Sequence, residues 1–336
     1  MPQPISLTLQ FKRVAVLFGG GHEHMPVIFV SPAVLDAIDS GATSGDPTLS
    51  FYRRKLEANL KAITAIHDHQ QFSQFFERYS EALAYLLLTK RGLKLERIAE
   101  NSDKSPDFRT AASRELFFEV KTLDFAAAPY AHDRHGKSSA TKVIDQTKRP
   151  GLGSTTSAIR PHGGARTSFE VIREVMPRIE RNYKKGQFRL GPTFLVLPLT
   201  RTAIQADECS LASWFTQYRR KNTGHLWALA AGRTGDRFLD AGIVVGKLPE
   251  PGILRKRAEI AGIIFVTTDW NLARDPLALT KAFQLHGIWN RKWTGPGRFT
   301  RHRIEQVKKQ FVQVCDAHND TKDRQRAKLA RSCPFP

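Results

Sequence analysis

Three residues of this chain have types and spacing that packing alone does not require. Asp107 follows Pro106, and downstream the run Leu116-Phe117-Phe118-Glu119-Val120 leads directly into Lys121. The run is apolar apart from Glu119 and reads as a core strand. Side chains alternate faces along a strand, so Glu119 and Lys121 point one way while Phe118 and Val120 point the other. Charged residues are almost never placed in a core for packing. The stretch between Asp107 and Glu119 is long enough for a short hairpin, which returns Asp107 to the side of the Glu119 strand. Two carboxylates placed together can hold a hard cation, Mg2+ or Mn2+, through oxygen ligands. An ammonium beside them can orient a water, and the cation can lower that water's pKa and stabilise charge on a phosphoryl oxygen. The plainer alternative is a hairpin carrying a surface Glu–Lys pair.

Pro106-Asp107, a gap, and Glu119-Val120-Lys121 resemble the PD-(D/E)xK motif of the restriction-endonuclease-like nuclease superfamily. The likeness spans residues 71 to 199. It implies a mixed α/β fold with a core of helix, three strands, helix and strand, and further strands and helices at both ends. It implies that Asp107 and Glu119 bind Mg2+ or Mn2+ and that Lys121 orients or deprotonates the attacking water. In that superfamily the helix before the first core strand often supplies an acid. Glu81 is carried over to that role, with Glu77, one turn away on the same side of the helix, as its rival. Some branches place a glutamine on the helix after the ExK strand. Gln146 stands in that region, but the usual Gln-x-x-x-Tyr spacing is absent because position 150 is Pro150. The implied reaction is metal-dependent hydrolysis of nucleic-acid phosphodiester bonds, in DNA before RNA. Many relatives cut duplexes as dimers, so a homodimer is also expected.

Charge points the same way. The chain has 336 residues, with 52 Lys+Arg against 32 Asp+Glu, a net charge of +20. That excess favours a polyanionic partner, most simply nucleic acid, although a basic protein without such a partner also fits. Residues 124–166 form a long Gly-, Ser- and His-containing loop that carries Lys142, Lys148, Arg149, Arg160 and Arg166. Loops of this length are usually functional or disordered, and here the loop follows the Glu119 strand, where a phosphate backbone would run. From Arg291 and Lys292 onward the chain is basic again, with Trp289, Trp293 and Phe299 interleaved. Aromatic faces can stack on bases while cations hold phosphate, but core tryptophans beside a solvated basic stretch give the same pattern. Three widely spaced cysteines suggest neither a disulfide framework nor a zinc site. No run reaches the length of a membrane span, no signal peptide is visible, and a reducing cytoplasm is the expected location.

The elements that must position these residues fall into three segments: 1–70, a core at 71–200, and a C-terminal extension at 201–336. In the first, 13–18 reads as a buried strand running into Gly19-Gly20-Gly21, a turn able to cradle phosphate on backbone amides. That stretch, with Lys148-Arg149-Pro150-Gly151-Leu152-Gly153-Ser154, resembles D-alanine–D-alanine ligases. The chain lacks the C-terminal Asn-x-x-Pro-Gly segment such ligases use for metal and substrate. Residues 40–49 read as a loop, 50–69 and 71–90 as helices, and Gly92 as a C-cap. Residues 93–98 alternate as a half-buried strand. A helix over 168–184, kinked at Pro177, precedes a buried strand over 193–199. Beyond Thr200, 226–231, 238–245 and 263–267 are apolar runs of strand length, which either extend the same sheet or form a second one. Asp275-Pro276 opens a helix to Leu285, and Ile304, Val307, Phe311 and Val314 give a helix from Arg303 one apolar stripe.

Three functions from different classes remain open on the sequence. The first is a metal-dependent nuclease with Asp107, Glu119, Lys121 and Glu81 at its centre. The second is an inactive nucleic-acid-binding protein of the same fold. The third is an ATP-dependent ligase-like protein built on Gly19 to Gly21.

Overall fold

The computed structural model describes residues 5–17, 30–65, 68–99, 105–111, 116–122, 176, 179–180, 183–200, 215–217, 220–240, 243–268, 279–290, 292–295 and 313–316. It is a mixed α/β structure. Among the described residues four helices come first: α1 (Leu7–Leu17), α2 (Pro32–Thr43), α3 (Pro47–Ala62) and α4 (His69–Lys90). The first corrects the strand expected over 13–18. Its buried residues Leu7, Gln10, Phe11 and Val14 recur at helical spacing, while Val16 and Leu17 of the supposed strand core are exposed. The apolar run is the tail of an amphipathic helix. The loop expected over 40–49 shrinks to a turn, because α2 runs to Thr43 and α3 starts at Pro47.

Asp46 fixes that turn. Its Oδ1 accepts the amides of Thr48 and Leu49 at 2.8 and 2.9 Å, satisfying donors that the helix start leaves open. Its Oδ2 accepts the Tyr85 hydroxyl at 2.8 Å, which ties α3 to α4. Asp46→Ala removes the cap, about 1 kcal/mol, and the tyrosine bond, about 1 kcal/mol. We expect a loss of about 2 kcal/mol in urea unfolding with an unchanged m-value. At the other end of α4 the chain turns at Gly92, whose φ of 92° is the left-handed conformation that glycine adopts freely.

Among the described residues the main sheet has seven strands. β1 (Leu95–Arg97), β2 (Phe108–Thr110) and β3 (Phe117–Val120) form an antiparallel meander. β4 (Thr193–Pro198) lies parallel to β3, and β9 (Gly262–Thr268) parallel to β4. β10 (Phe283–Trp289) returns antiparallel, and β11 (Gln313–Asp316) joins it in parallel. The paired residues divide the sheet into two apolar faces. Phe118 and Phe194, then Val120, Val196 and Ile264, with Val266 beyond them, belong to the core beneath α4. Leu195, Leu197, Ile263, Phe265 and Ile288 face a second core with α5 (His225–Ala231) and α6 (Ile253–Lys256). Burying each large apolar side chain contributes about 1.5–3 kcal/mol. At Gly262 an added Cβ would lie 2.8 Å from the Ile288 carbonyl oxygen and 2.9 Å from the Phe194 ring. Only glycine lets β9 and its neighbours come this close.

The 201–336 segment departs from expectation in several places. Residues 226–231 form α5, not a strand, and are buried on every side, which is why no amphipathic period shows. The run 238–245 divides into a two-stranded hairpin, β7 (Arg237–Asp240) and β8 (Ile243–Lys247), separate from the main sheet. The short pair β5 (Phe215–Gln217) and β6 (Arg220–Asn222) forms a third sheet. The helix expected up to Leu285 ends earlier, because α7 (Leu279–Ala282) gives way to β10 at Phe283, and its expected start at Asp275-Pro276 lies outside the described residues. Val314, expected on a helix, lies in β11. Residues 263–267 do extend the main sheet, so the last third of the chain completes the layer begun by β1 to β4. Among the described residues no helix is long and apolar enough to cross a membrane.

Candidate active site

The anomaly of the sheet is Glu119. In register it continues a row that otherwise holds Leu195, Ile263 and Ile288, yet it is a carboxylate with 2% exposure. Burying an unpaired charge is costly, and two donors meet it. The Lys121 Nζ and the Gln187 Nε2 each lie 2.5 Å from the same oxygen, Oε1. The second oxygen, Oε2, is buried without a hydrogen-bond partner.

β2 and β3 pair at Phe108–Phe118, so the next step in register sets Asp107 opposite Glu119. The backbone ladder stops there. The Asp107 side chain takes the place of a strand, its Oδ2 accepting the Val120 amide at 2.7 Å, while its own carbonyl accepts the Ile98 amide at 2.9 Å. On the far side of Glu119, the Lys121 amide bonds the Val196 carbonyl at 2.9 Å and keeps that residue in the β3–β4 pairing. Lys121's side chain is 20% exposed, so its ammonium reaches both Glu119 and solvent.

α4 contributes the third carboxylate. Both oxygens of Glu81 are held by the Arg78 guanidinium at 3.0 and 3.1 Å, and the buried Tyr52 hydroxyl donates to it from α3. Burial, then the charge of Asp107, push the Glu81 carboxyl up to about 7, against the pull of Arg78. Burial and the Glu119 charge raise Asp107 well above the ordinary carboxylate range, although the Val120 amide, Lys121 and Arg78 oppose it. Glu119 is raised by burial, which outweighs Lys121, with Glu81 adding to the rise. Burial also drives the Tyr52 hydroxyl upward, with the charges of Glu81 and Asp107 adding to it. Three acids with proton affinities shifted toward neutrality, and an ammonium among them, form a cluster of the kind found at functional sites.

Asp107, Glu119, Lys121 and Glu81 are thus brought into one electrostatic neighbourhood at the C-terminal end of β3. Of the two helix acids, Glu81 is the one engaged in this cluster. Among the described residues no three His, Cys, Asp or Glu side chains form a ready metal cage. Glu81 is committed to Arg78, which leaves Asp107 and Glu119 as the two carboxylates available to a cation. Lys142, Gln146, Lys148, Arg149, Arg160, Arg166 and Arg291 lie outside the described residues. Lys292 is described and exposed. Neither tryptophan near it is a stacking platform, and Phe299 lies outside the described residues. Trp289 is 2% exposed and edge-on to Phe194, and Trp293 is half-buried, with its Nε1 donating to the Glu259 carbonyl at 2.9 Å.

Sequence reasoning missed Gln187, Tyr52 and Arg78. Arg78 was readable only as the i,i+3 partner of Glu81. Gln187 reaches Glu119 from 68 residues downstream, and no motif or period announces it. Comparison with protein-family models, with curated proteins and with solved structures finds no match to this chain.

Proposed function

We propose that this protein is a metal-dependent nuclease with a restriction-endonuclease-like core. The observation that carries the reading is the buried Glu119, with Lys121 on one oxygen, an unpartnered second oxygen, and Asp107 across the strand. A surface Glu–Lys pair would not be buried or leave such an oxygen. The order of α4, the β1–β2–β3 meander and β4 parallel to β3 supports the core assignment, and +20 of charge supports a polyanionic substrate, DNA before RNA.

The residues present fit a divalent cation. Burial, with the Glu119 charge adding to it at Asp107, makes both carboxylates costly to ionise, and a cation held between them offsets that cost. Mg2+ is commonly held by one or two carboxylates together with waters, so Asp107 and Glu119 suffice. When bound, the metal supplies Lewis-acid stabilisation of a phosphoryl oxygen and a more acidic water. Lys121 holds and orients a water through its N–H groups and offers positive charge to the scissile phosphate. Asp107 anchors the Val120 amide, so the two halves of the site keep one spacing. Glu81 and Tyr52 set the charge balance behind Asp107. A reducing cytoplasm and a dimer acting on duplex DNA belong to the same proposal.

The direct test is nicking of supercoiled plasmid by the full chain with Mg2+, with Mn2+ and with EDTA. Metal-dependent conversion to open circle is the expected result. DNA binding without cleavage in either metal would favour the inactive binding protein. The ligase-like reading loses its first strand, since α1 occupies that stretch, and Gly19 to Gly21 lie outside the described residues.

A further inference from the structure

We infer that Gln187 is a positioning residue for this centre: its carboxamide fixes the Glu119 carboxylate so that Oε2 faces the space where a divalent cation is held. The inference rests on the cation-binding part of the nuclease reading.

A glutamate's terminal torsion is broad and roughly two-fold, so burial alone does not select which oxygen points where. Lys121 cannot select it either, because its ammonium sits on a flexible four-carbon stem and keeps access to water. Gln187 differs in both respects. It is 7% exposed and sits in a single 3-10 turn, Lys185–Phe188, directly before β4. Its amide bonds the Lys184 carbonyl at 3.0 Å, and its own carbonyl accepts the Thr193 hydroxyl at 3.3 Å.

The neighbouring Phe188 is 2% exposed and stacks on Tyr183 with ring centroids 4.9 Å apart. The Tyr183 hydroxyl donates to Glu259 at 2.5 Å, and the Arg257 guanidinium lies over the same ring at 4.6 Å. The turn is therefore clamped from the C-terminal third of the chain, and the carboxamide it carries is a fixed donor.

Gln187 and Lys121 converge on Oε1, which leaves Oε2 buried and unpartnered. The Gln187 Oε1 is unpartnered as well. A carboxylate whose two donors share one oxygen presents the other as a ready acceptor. Outer partners that orient metal ligands typically govern 10–100-fold of metal affinity.

The test is Mn2+ binding by the full chain, read from the free-Mn2+ electron paramagnetic resonance signal, for wild type and Gln187→Met. Methionine keeps the volume and removes the donor. The expected result is Mn2+ binding about 10–100-fold weaker, with affinity for duplex DNA in EDTA unchanged within about twofold. In Mg2+-dependent cleavage, kcat falls while KM holds. Gln187→Met that melts like wild type and binds Mn2+ as tightly overturns the inference. If the methionine disturbs the turn, Gln187→Asn, one methylene too short to reach Oε1, is read by the same criteria. Wild type that binds no Mn2+ ends both this inference and the reading beneath it. Wild type that binds Mn2+ but cuts no nucleic acid ends only the nuclease reading, and the Gln187 effect on Mn2+ then stands alone.

Discussion

Lys121→Met is expected to lower kcat for Mg2+-dependent cleavage by about 10^2–10^4-fold, the range lost when a positioned proton-transfer or water-orienting group is removed. That corresponds to about 2.7–5.5 kcal/mol of barrier. Two effects act together. The N–H groups that orient water disappear, and Glu119 loses the cation that most opposes the effect of its burial. Its proton affinity then rises further, so at neutral pH more of it is protonated and unable to hold metal. Methionine keeps the apolar stem, and Lys121 is partly exposed, so the fold should tolerate the change. Single-turnover cleavage of a labelled duplex in Mg2+ and in Mn2+ measures it. Activity within tenfold of wild type in both metals would remove Lys121 from the chemistry.

Glu119→Gln is expected to abolish cleavage and yet stabilise the metal-free protein at pH 8 by about 1–2 kcal/mol, within the range of substitutions that relieve a strained functional site. In the unfolded chain carboxyls ionise near pH 4. In the folded protein Glu81 does so at about 7, and Asp107 and Glu119 are raised in the same direction. Between about pH 4 and 7 the native state therefore binds more protons than the unfolded one, and stability falls as pH rises. The contribution is complete below about pH 4 and lost on passing through about 7. Glutamine removes one of the three charges and its push on Asp107, which flattens that slope. The usual penalty for orphaning a buried ion is avoided, because Lys121 reaches solvent and a neutral amide can still accept from Gln187. Urea midpoints in EDTA at pH 5 and pH 8 decide the matter. A wild-type stability that is flat or rises over that interval contradicts the electrostatic account, as does a variant with an unchanged slope.

Much of the layer beneath the site was legible. Phe72, Phe75, Phe76, Tyr79 and Leu83 repeat at helical spacing and do form the buried stripe of α4. Phe118 and Val120 alternate with Glu119 as a strand requires. What misled was the β-branched run at 13–18 and the fully apolar 226–231. A short apolar run carries no period that separates a strand from a helix: 226–231 is a helix buried on every side, and 13–17 is the half-exposed tail of an amphipathic one. The run 238–245 reads as one strand because nothing in its sequence, neither a proline nor an Asn-Gly pair, marks the division into β7 and β8. At the site itself, Asp107, Glu119 and Lys121 stood out because charge inside an apolar run is conspicuous. Gln187 did not, because a neutral amide in a short turn looks like any surface glutamine until its distant partner is known.

The joining of β4 to β9 also bears on how the protein is made. β4 ends at Pro198, but its second neighbour begins at Gly262 and is itself flanked by β10, which ends at Trp289. A nascent chain emerges from the ribosome at about 5–20 residues per second, so for several seconds β4 presents an unpaired apolar edge. Such an edge invites aggregation and is a natural client for chaperones. Ribosome-arrested chains ending before residue 262 should be captured by a holdase, and those extending past Trp289 should be released from it.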